Sequence, residues 1–386
     1  MKEAVIVSAV RSPMGKAGKG LLANLRIDDL GAIILQEALR RVPNLDPNEI
    51  EDVLIGCAMP EGEQGMNIAR NISLLAGVPQ SAAAVTVNRF CASGLEAINT
   101  AALRIMTGNG EVFVAGGVET MTHVPMGGFN PSLNEKFFQP GAAQAYISMG
   151  ITAENVAAKY KISREDQDKF AVASHQKAIR AQKEGLFKNE LVPVEIPLPD
   201  GKKVLLDKDE NPRDGSTVEK LGQLKAAFKE GGSVTAGNSS PLTDGAAMVV
   251  LMLSERAKAL GIKPLARIVG MAVAGCAPEL MGIGPVPAIQ KVLKRAGMAI
   301  KDIDIFELNE AFAAQSLAVL RELGIDLDKV NPKGGAIALG HPLGCSGARI
   351  MATLINDLAS FDKRFGIETM CVGGGQGAAT IIERLS

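Results

Sequence analysis

The sequence predicts a layered α/β protein, with a mixed or parallel sheet covered by helices. Both ends of the chain alternate short β-branched runs with stretches whose apolar residues recur every three or four positions. Strands separated by helices in this way call for crossover connections across a shared sheet. Aromatic residues make up only 4% of the chain and Trp is absent, while Gly reaches 42. The elements are therefore expected to pack through small side chains with their backbones close together, as buried central helices do. At 386 residues the chain exceeds what one hydrophobic core holds, and two or three domains are expected.

Three textures follow one another. Over about 1–120, "EAVIVSAV" reads as a strand and "IDDLGAIILQEALRRV" as an amphipathic helix. "DVLIGCAM" and "EVFVAGGVET" are further strands. Over about 121–244, a Gly/Pro-rich loop, "MTHVPMGGFNPSLNEKFFQPG", leads into a polar helical stretch from Thr152 to Gly185. Inside it, Ser163 followed by acidic residues marks a helix start. The crowding of charge suggests a surface insertion. From about 245 the first texture returns. "AAMVVLMLS" and "DIFELNEAFA" read as strand-then-helix, and "ETMCVGGGQGAATIIERL" as a strand, a glycine hairpin and a second strand. The rhythm suggests an internal duplication with the middle segment inserted between the halves.

Composition narrows the function. The apolar share of 47% and charged share of 22% are those of an ordered globular chain. A net charge of −1 argues against nucleic-acid binding, which needs a basic surplus. No apolar run reaches membrane-spanning length, and no charged-then-apolar leader or Ser-Lys-Leu ending is seen. The five cysteines, at 57, 91, 276, 345 and 371, show no Cys-x-x-Cys spacing, so neither a disulfide framework nor a zinc site is expected. Reduced thiols in a cytoplasmic protein are the expectation.

Four places carry reactive groups. In "VNRFCASGLEAI", Cys91 stands where a β-type run meets a helix. A helix N-terminus presents unpaired N–H groups and partial positive charge, so the thiol pKa is expected to be lowered there. Ala92, Ser93 and Gly94 are expected to leave the surroundings open for a substrate. A buried structural cysteine fits the same position. In "GGAIALGHPLGCSGAR", His341 is fixed by glycines and by Pro342, as a general base or oxyanion donor would be, though a turn histidine bonded to backbone fits equally. In "MCVGGGQGAA", Cys371 ends a strand before a hairpin whose exposed N–H groups could form an oxyanion hole. In "ELNEAFAAQ", Asn309 either holds a water molecule or caps a helix. His123 and His175 read as loop and polar-helix residues without a catalytic role. Two thiols and a histidine suit acyl transfer in which one thiolate attacks and the other thiol moves a proton to or from carbon.

The chain resembles the thiolases, the acetyl-CoA C-acyltransferases, over essentially its whole length. The motifs are "NRFCASG" at 88–94, "TAGNSSPLTDGAA" at 235–247, "NEAF" at 309–312, "GHP" at 340–342 and "CVGGGQG" at 371–377. The resemblance implies that Cys91 is the nucleophile acylated as a thioester and that His341 activates it and lines an oxyanion hole. It further implies that Cys371 is the acid/base at the substrate α-carbon and that Asn309 holds a water in the first oxyanion hole. The N–H groups of Cys91 and Gly373 would form the second hole. Arg213 and Ser240 would contact coenzyme A, with Met149 and Phe312 lining the pocket. Coenzyme A enters as a substrate, and no bound cofactor or metal is implied.

The implied fold is the five-layered α-β-α-β-α thiolase arrangement of two similar halves. Residues 1–120 with 245–266 would form the N-terminal half, 121–244 a loop domain, and 267–386 the C-terminal half. A homodimer or homotetramer is implied, with "MTHVPMGGF" suited to tetramer contacts, and a β-oxidation multienzyme partner fits the resemblance. Short-chain biosynthetic members often carry a histidine where this chain has Ser148, and a small residue after the Asn of "NRFCASG". These features and "ISREDQDKFAVASHQKA" resemble the degradative 3-ketoacyl-CoA thiolases of fatty-acid β-oxidation. The alternative within the family is a short-chain acetyl-CoA acetyltransferase. A ketoacyl synthase-like condensing enzyme would lack the second cysteine hairpin. A non-catalytic acyl-CoA-binding subunit should have lost Cys91, His341 or Cys371.

Overall fold

The computed structural model describes residues 2–386. The strands are β1 (Ala4–Arg11), β2 (Gly15–Lys16), β3 (Asp52–Gly56), β4 (Ala83–Val87), β5 (Val112–Glu119), β6 (Val194–Pro197), β7 (Lys203–Leu206), β8 (Thr243–Leu253), β9 (Ala266–Gly275), β10 (Ile305–Leu308), β11 (Phe365–Val372) and β12 (Gln376–Arg384). Nine of them run in the order β10-β11-β12-β9-β1-β8-β5-β3-β4, with β2 on β8, while β6 and β7 form a separate hairpin. The sheet is mixed: β3 pairs in parallel with β4 and β5, β10 in parallel with β11, and the rest are antiparallel.

The helices are α1 (Ile27–Arg40), α2 (Ile68–Leu75), α3 (Ser93–Thr107), α4 (Met149–Lys159), α5 (Arg164–Lys183), α6 (Val218–Gly222), α7 (Ser254–Ala259), α8 (Pro285–Ala296), α9 (Ala313–Leu323), α10 (Ala336–Leu339) and α11 (Leu343–Ser360). Strands β1 and β9 touch through only two residue pairs, Val5 with Arg267 and Ile6 with Ala266. At this narrow join the sheet becomes two sheets facing each other, with α3 and α11 between them. One core cluster shows this directly, taking Leu95 and Ile98 from α3, Ala348 and Met351 from α11, Val249 from β8 and Met370 from β11. Strand β8 displays the alternation that two covered faces require: Ala247, Val249 and Leu251 turn to the central helices, Ala246, Met248 and Val250 to α1 and α2. Helices α8 and α9 cover the outer face of β9 to β12. The result is five layers, α-β-α-β-α, the arrangement that the resemblance implies.

The small residues after Cys91 serve packing. A Cβ on Gly94 would lie 2.8 Å from the backbone N of Ala348, and one on Gly347 would lie 2.2 Å from that of Leu95. The central helices cross at these two glycines, which corrects the expectation that residues 92–94 keep the site open. The polar stretch after Thr152 is two helices, broken at 160–163 where Lys161 takes φ +53° and Ser163 Oγ accepts from Asp166 N. Nor is it a simple surface insertion. Ala153, Val156 and Ala157 of α4 are buried, and α5 buries Gln167, Asp168, Ser174 and His175.

Candidate active site

Cys91 lies in a 3-10 turn, Phe90–Ala92, that feeds α3. Phe90 holds φ +44°, a left-handed conformation that a bulky residue adopts only when its surroundings impose it. The neighbours do so. Asn88 Oδ1 accepts from Phe90 N at 2.8 Å while its amide donates to Ala58 O at 3.0 Å. Ser93 Oγ accepts from Arg89 N at 2.9 Å and donates to Phe90 O at 2.6 Å. Arg89 pairs with Glu96 at 2.9 Å and reaches Gln376 Oε1 at 3.2 Å, tying the turn to the β11–β12 hairpin. Each polar residue of "NRFCAS" thus has a structural task in aiming one thiol.

Contrary to the expectation from the helix terminus, the Cys91 thiol is pushed up to about 11. Burial is the largest cause, and the backbone N–H groups of Gly373 and of Cys91 itself only partly oppose it. In the resting chain Cys91 is therefore a thiol at neutral pH. Its alkylation by iodoacetamide, followed on the Cys91 peptide, is predicted to rise about tenfold per pH unit between about pH 7 and 9. A plateau from neutral pH upward would contradict this.

His341 follows Gly340, whose φ of +105° and tight fit against Thr243 and Asn211 leave no room for a side chain. Burial lowers the imidazole to about 3, helped by the charge of Arg349, so it is neutral. Nδ1 lies 2.6 Å from Ser346 Oγ, and that hydroxyl donates to Pro342 O at 2.9 Å. Ser346 therefore accepts Nδ1–H, which leaves Nε2 unprotonated, its lone pair accepting from Asn309 Nδ2 at 3.3 Å. Asn309 does not cap a helix: the N-cap of α9 is Phe312. Its Oδ1 is buried without a protein partner.

Cys371 is the penultimate residue of β11 and is fully buried beside Ala153, Val234, Met281, Ala311 and Phe312, with Met149 packed against them. Burial raises its thiol well above the usual range, and the neighbouring Cys91 raises it further. Cys91 shares a cluster with Leu343 at the start of α11. The N-termini of both central helices thus meet beside Cys91, whose thiol neighbours that of Cys371. The structure places Cys371 beside Cys91, the Gly373 N–H on the Cys91 sulfur, and Met149 and Phe312 against Cys371, and it pairs His341 with Asn309 two residues before α11 begins. Ser240 sits on the rim, its N and Oγ both donating to Ala311 O. Arg213 is farther out, its exposed side chain on a cleft of about 420 Å³ lined also by Arg180, Lys183 and Ser216.

Two contributors escaped the sequence reading. Ser346, five residues after His341 in the first turn of α11, sets the imidazole tautomer. Glu119, a lone acid closing the apolar run of β5, accepts from Ala58 N at 2.8 Å, Met59 N at 3.2 Å, Gly344 N at 2.7 Å and Gln64 Nε2 at 3.0 Å. It ties the loop beside Cys91 to the start of α11. An acid ending an otherwise apolar strand was the signal for it. Among the described residues no group of three or more His, Cys, Asp or Glu side chains is placed to hold a metal ion. None of the described helices is long and apolar enough to cross a membrane.

Two family models match the chain: "Thiolase, N-terminal domain" over residues 4–255 and "Thiolase, C-terminal domain" over 262–384. A 3-ketoacyl-CoA thiolase of Bacillus subtilis is 53% identical over 395 residues, spanning 99% of this chain and 100% of that protein. The crystal structure of the Bacillus anthracis acetyl-CoA acetyltransferase superposes with a TM-score of 0.92 at 44% identity, covering 100% of this chain and 99% of the other. Human mitochondrial 3-ketoacyl-CoA thiolase superposes with a TM-score of 0.91 at 39% identity, with 99% of each chain covered. With both halves matched and a relative of this identity aligned end to end, the chain belongs to the thiolase family.

Proposed function

We propose that this acyltransferase cleaves 3-ketoacyl-CoA with coenzyme A, giving acetyl-CoA and a shortened acyl-CoA, in the manner of the degradative 3-ketoacyl-CoA thiolases. The observation that carries the reading is two neighbouring buried thiols, one of them packed against Leu343, two residues from a neutral imidazole whose Nε2 is unprotonated.

The roles follow from that geometry. His341 Nε2 takes the Cys91 proton as the sulfur attacks the keto carbon, so the thiol need not ionise beforehand. The N–H groups of Cys91 and Gly373, which already face the sulfur, stabilise the oxyanion of the tetrahedral adduct. Collapse breaks the Cα–Cβ bond and expels the enolate of acetyl-CoA. Asn309, with the imidazolium of His341, stabilises the enolate oxygen, and the Cys371 thiol protonates its carbon. Coenzyme A then attacks acyl-Cys91, and the kinetics are ping-pong. High thiol pKa values suit this scheme: Cys371 enters as an acid and must hold its proton until the carbanion forms.

Segment 121–244 is proposed as the loop domain, holding Met149 in the acyl pocket and Arg213 and Ser240 toward coenzyme A. A homodimer or homotetramer is proposed as well, supported by the free edge of β4, where Val85 is exposed, and by exposed Met126, Phe129 and Phe138 in the loop after "MTHV". A β-oxidation multienzyme partner and a cytoplasmic location remain part of this reading.

A short-chain acetyltransferase is the second reading, favoured by the close superposition on the Bacillus anthracis enzyme. Thiolysis by the purified chain separates the two. kcat/KM for 3-ketohexadecanoyl-CoA is predicted to exceed that for acetoacetyl-CoA. Activity confined to acetoacetyl-CoA would reverse the assignment.

A further inference from the structure

Helix α5 has an inward edge that is polar and buried, and buried polar groups persist only where they are bonded. Three of its side chains hold three different loops. Asp168 Oδ1 accepts from Asn238 Nδ2 at 2.9 Å, in the segment that carries Ser240. Ser174 Oγ donates to Glu310 Oε2 at 2.6 Å, next to Asn309. His175 Nδ1 accepts the backbone N–H of Arg213 at 3.2 Å.

The last of these bonds has a functional reading. Arg213 lies on the wall of the cleft, and two further cations of that wall, Arg180 and Lys183, come from α5 itself. Where the guanidinium sits relative to them depends on how the backbone of Arg213 is held. Two side-chain bonds fasten that backbone: the one from its N–H to His175, and one from Ser216 Oγ to its carbonyl at 3.0 Å. Burial, with the charge of Arg213 second, lowers His175 to about 4, so the ring keeps an acceptor nitrogen across the neutral range.

We propose that His175 is a positioning residue for coenzyme A: by accepting the Arg213 N–H it fixes the arginine among the α5 cations that meet the phosphates of the nucleotide. The inference rests on the thiolysis reading given above. It assigns His175 no contact with the reacting atoms, so its loss must act on the nucleotide-bearing substrate alone.

The test compares coenzyme A with its truncated analogue N-acetylcysteamine, which has the thiol but no phosphates. Acetoacetyl-CoA cleavage with coenzyme A, and acetoacetyl-N-acetylcysteamine cleavage with N-acetylcysteamine, are measured for wild type, His175→Ala and His175→Asn. Asn can present its side-chain oxygen where Nδ1 stands. For His175→Ala, KM for coenzyme A is expected to rise about tenfold, the scale of one lost hydrogen bond, with kcat nearly unchanged. His175→Asn should restore KM, and the truncated reaction should be the same in all three. An unchanged KM in His175→Ala overturns the inference, and so does an equal loss of the truncated reaction. A wild-type chain inert toward both thioesters and toward 3-ketohexadecanoyl-CoA with coenzyme A overturns the thiolysis reading, and the inference with it.

Discussion

Cys91→Ala is expected to lose both half-reactions. No acyl-enzyme can form without the sulfur, so thiolysis of a 3-ketoacyl-CoA should fall by at least ~10⁴-fold. Exchange of labelled coenzyme A into acetyl-CoA should fall with it. Folding is expected to survive, because the neighbours that shape the turn, Asn88 and Ser93, bond to backbone and not to the thiol. A Cys91→Ala protein that kept the exchange reaction would place the acyl group on another residue.

Cys371→Ala is expected to separate the two half-reactions. Carbon–carbon cleavage needs a proton delivered to the departing α-carbon, and loss of the positioned acid should lower it by about 10³–10⁴-fold. Coenzyme A exchange involves only thioester chemistry at Cys91 and should stay within about tenfold of wild type. Equal losses in both reactions would mean that Cys371 merely packs beneath Phe312 and Met149. The comparison is sharp because the two thiols sit in different surroundings. Burial raises both thiols, but the Gly373 N–H joins the Cys91 N–H in opposing it at Cys91, whereas at Cys371 the neighbouring Cys91 adds to it.

Much of the fold was legible because its signals are local. The β-branched runs at Ala4–Arg11 and Val112–Glu119 and the glycine hairpin after Cys371 declare themselves from neighbouring residues alone. What the sequence hid depends on partners far along the chain. Glu119 matters through Gly344, 225 positions away. Gly94 looked like clearance for a substrate because its neighbour across the helix crossing, Ala348, lies in the other half. The thiol shift was misjudged for the same reason. A helix terminus can be read from sequence, but the burial that outweighs it comes from Ala58 and Leu343, which only the fold brings to Cys91. His175 looked like a polar helix residue until the loop at Arg213 closed over it.

The central claim is that substrate carbon becomes bonded to Cys91. The direct measurement is mass spectrometry of the purified chain mixed with 3-ketohexadecanoyl-CoA in the absence of coenzyme A, quenched in acid and digested. The account predicts a tetradecanoyl group on the Cys91 peptide that disappears when coenzyme A is added before the quench. Turnover with an unmodified Cys91, or an acyl group on Cys371 instead, would contradict it.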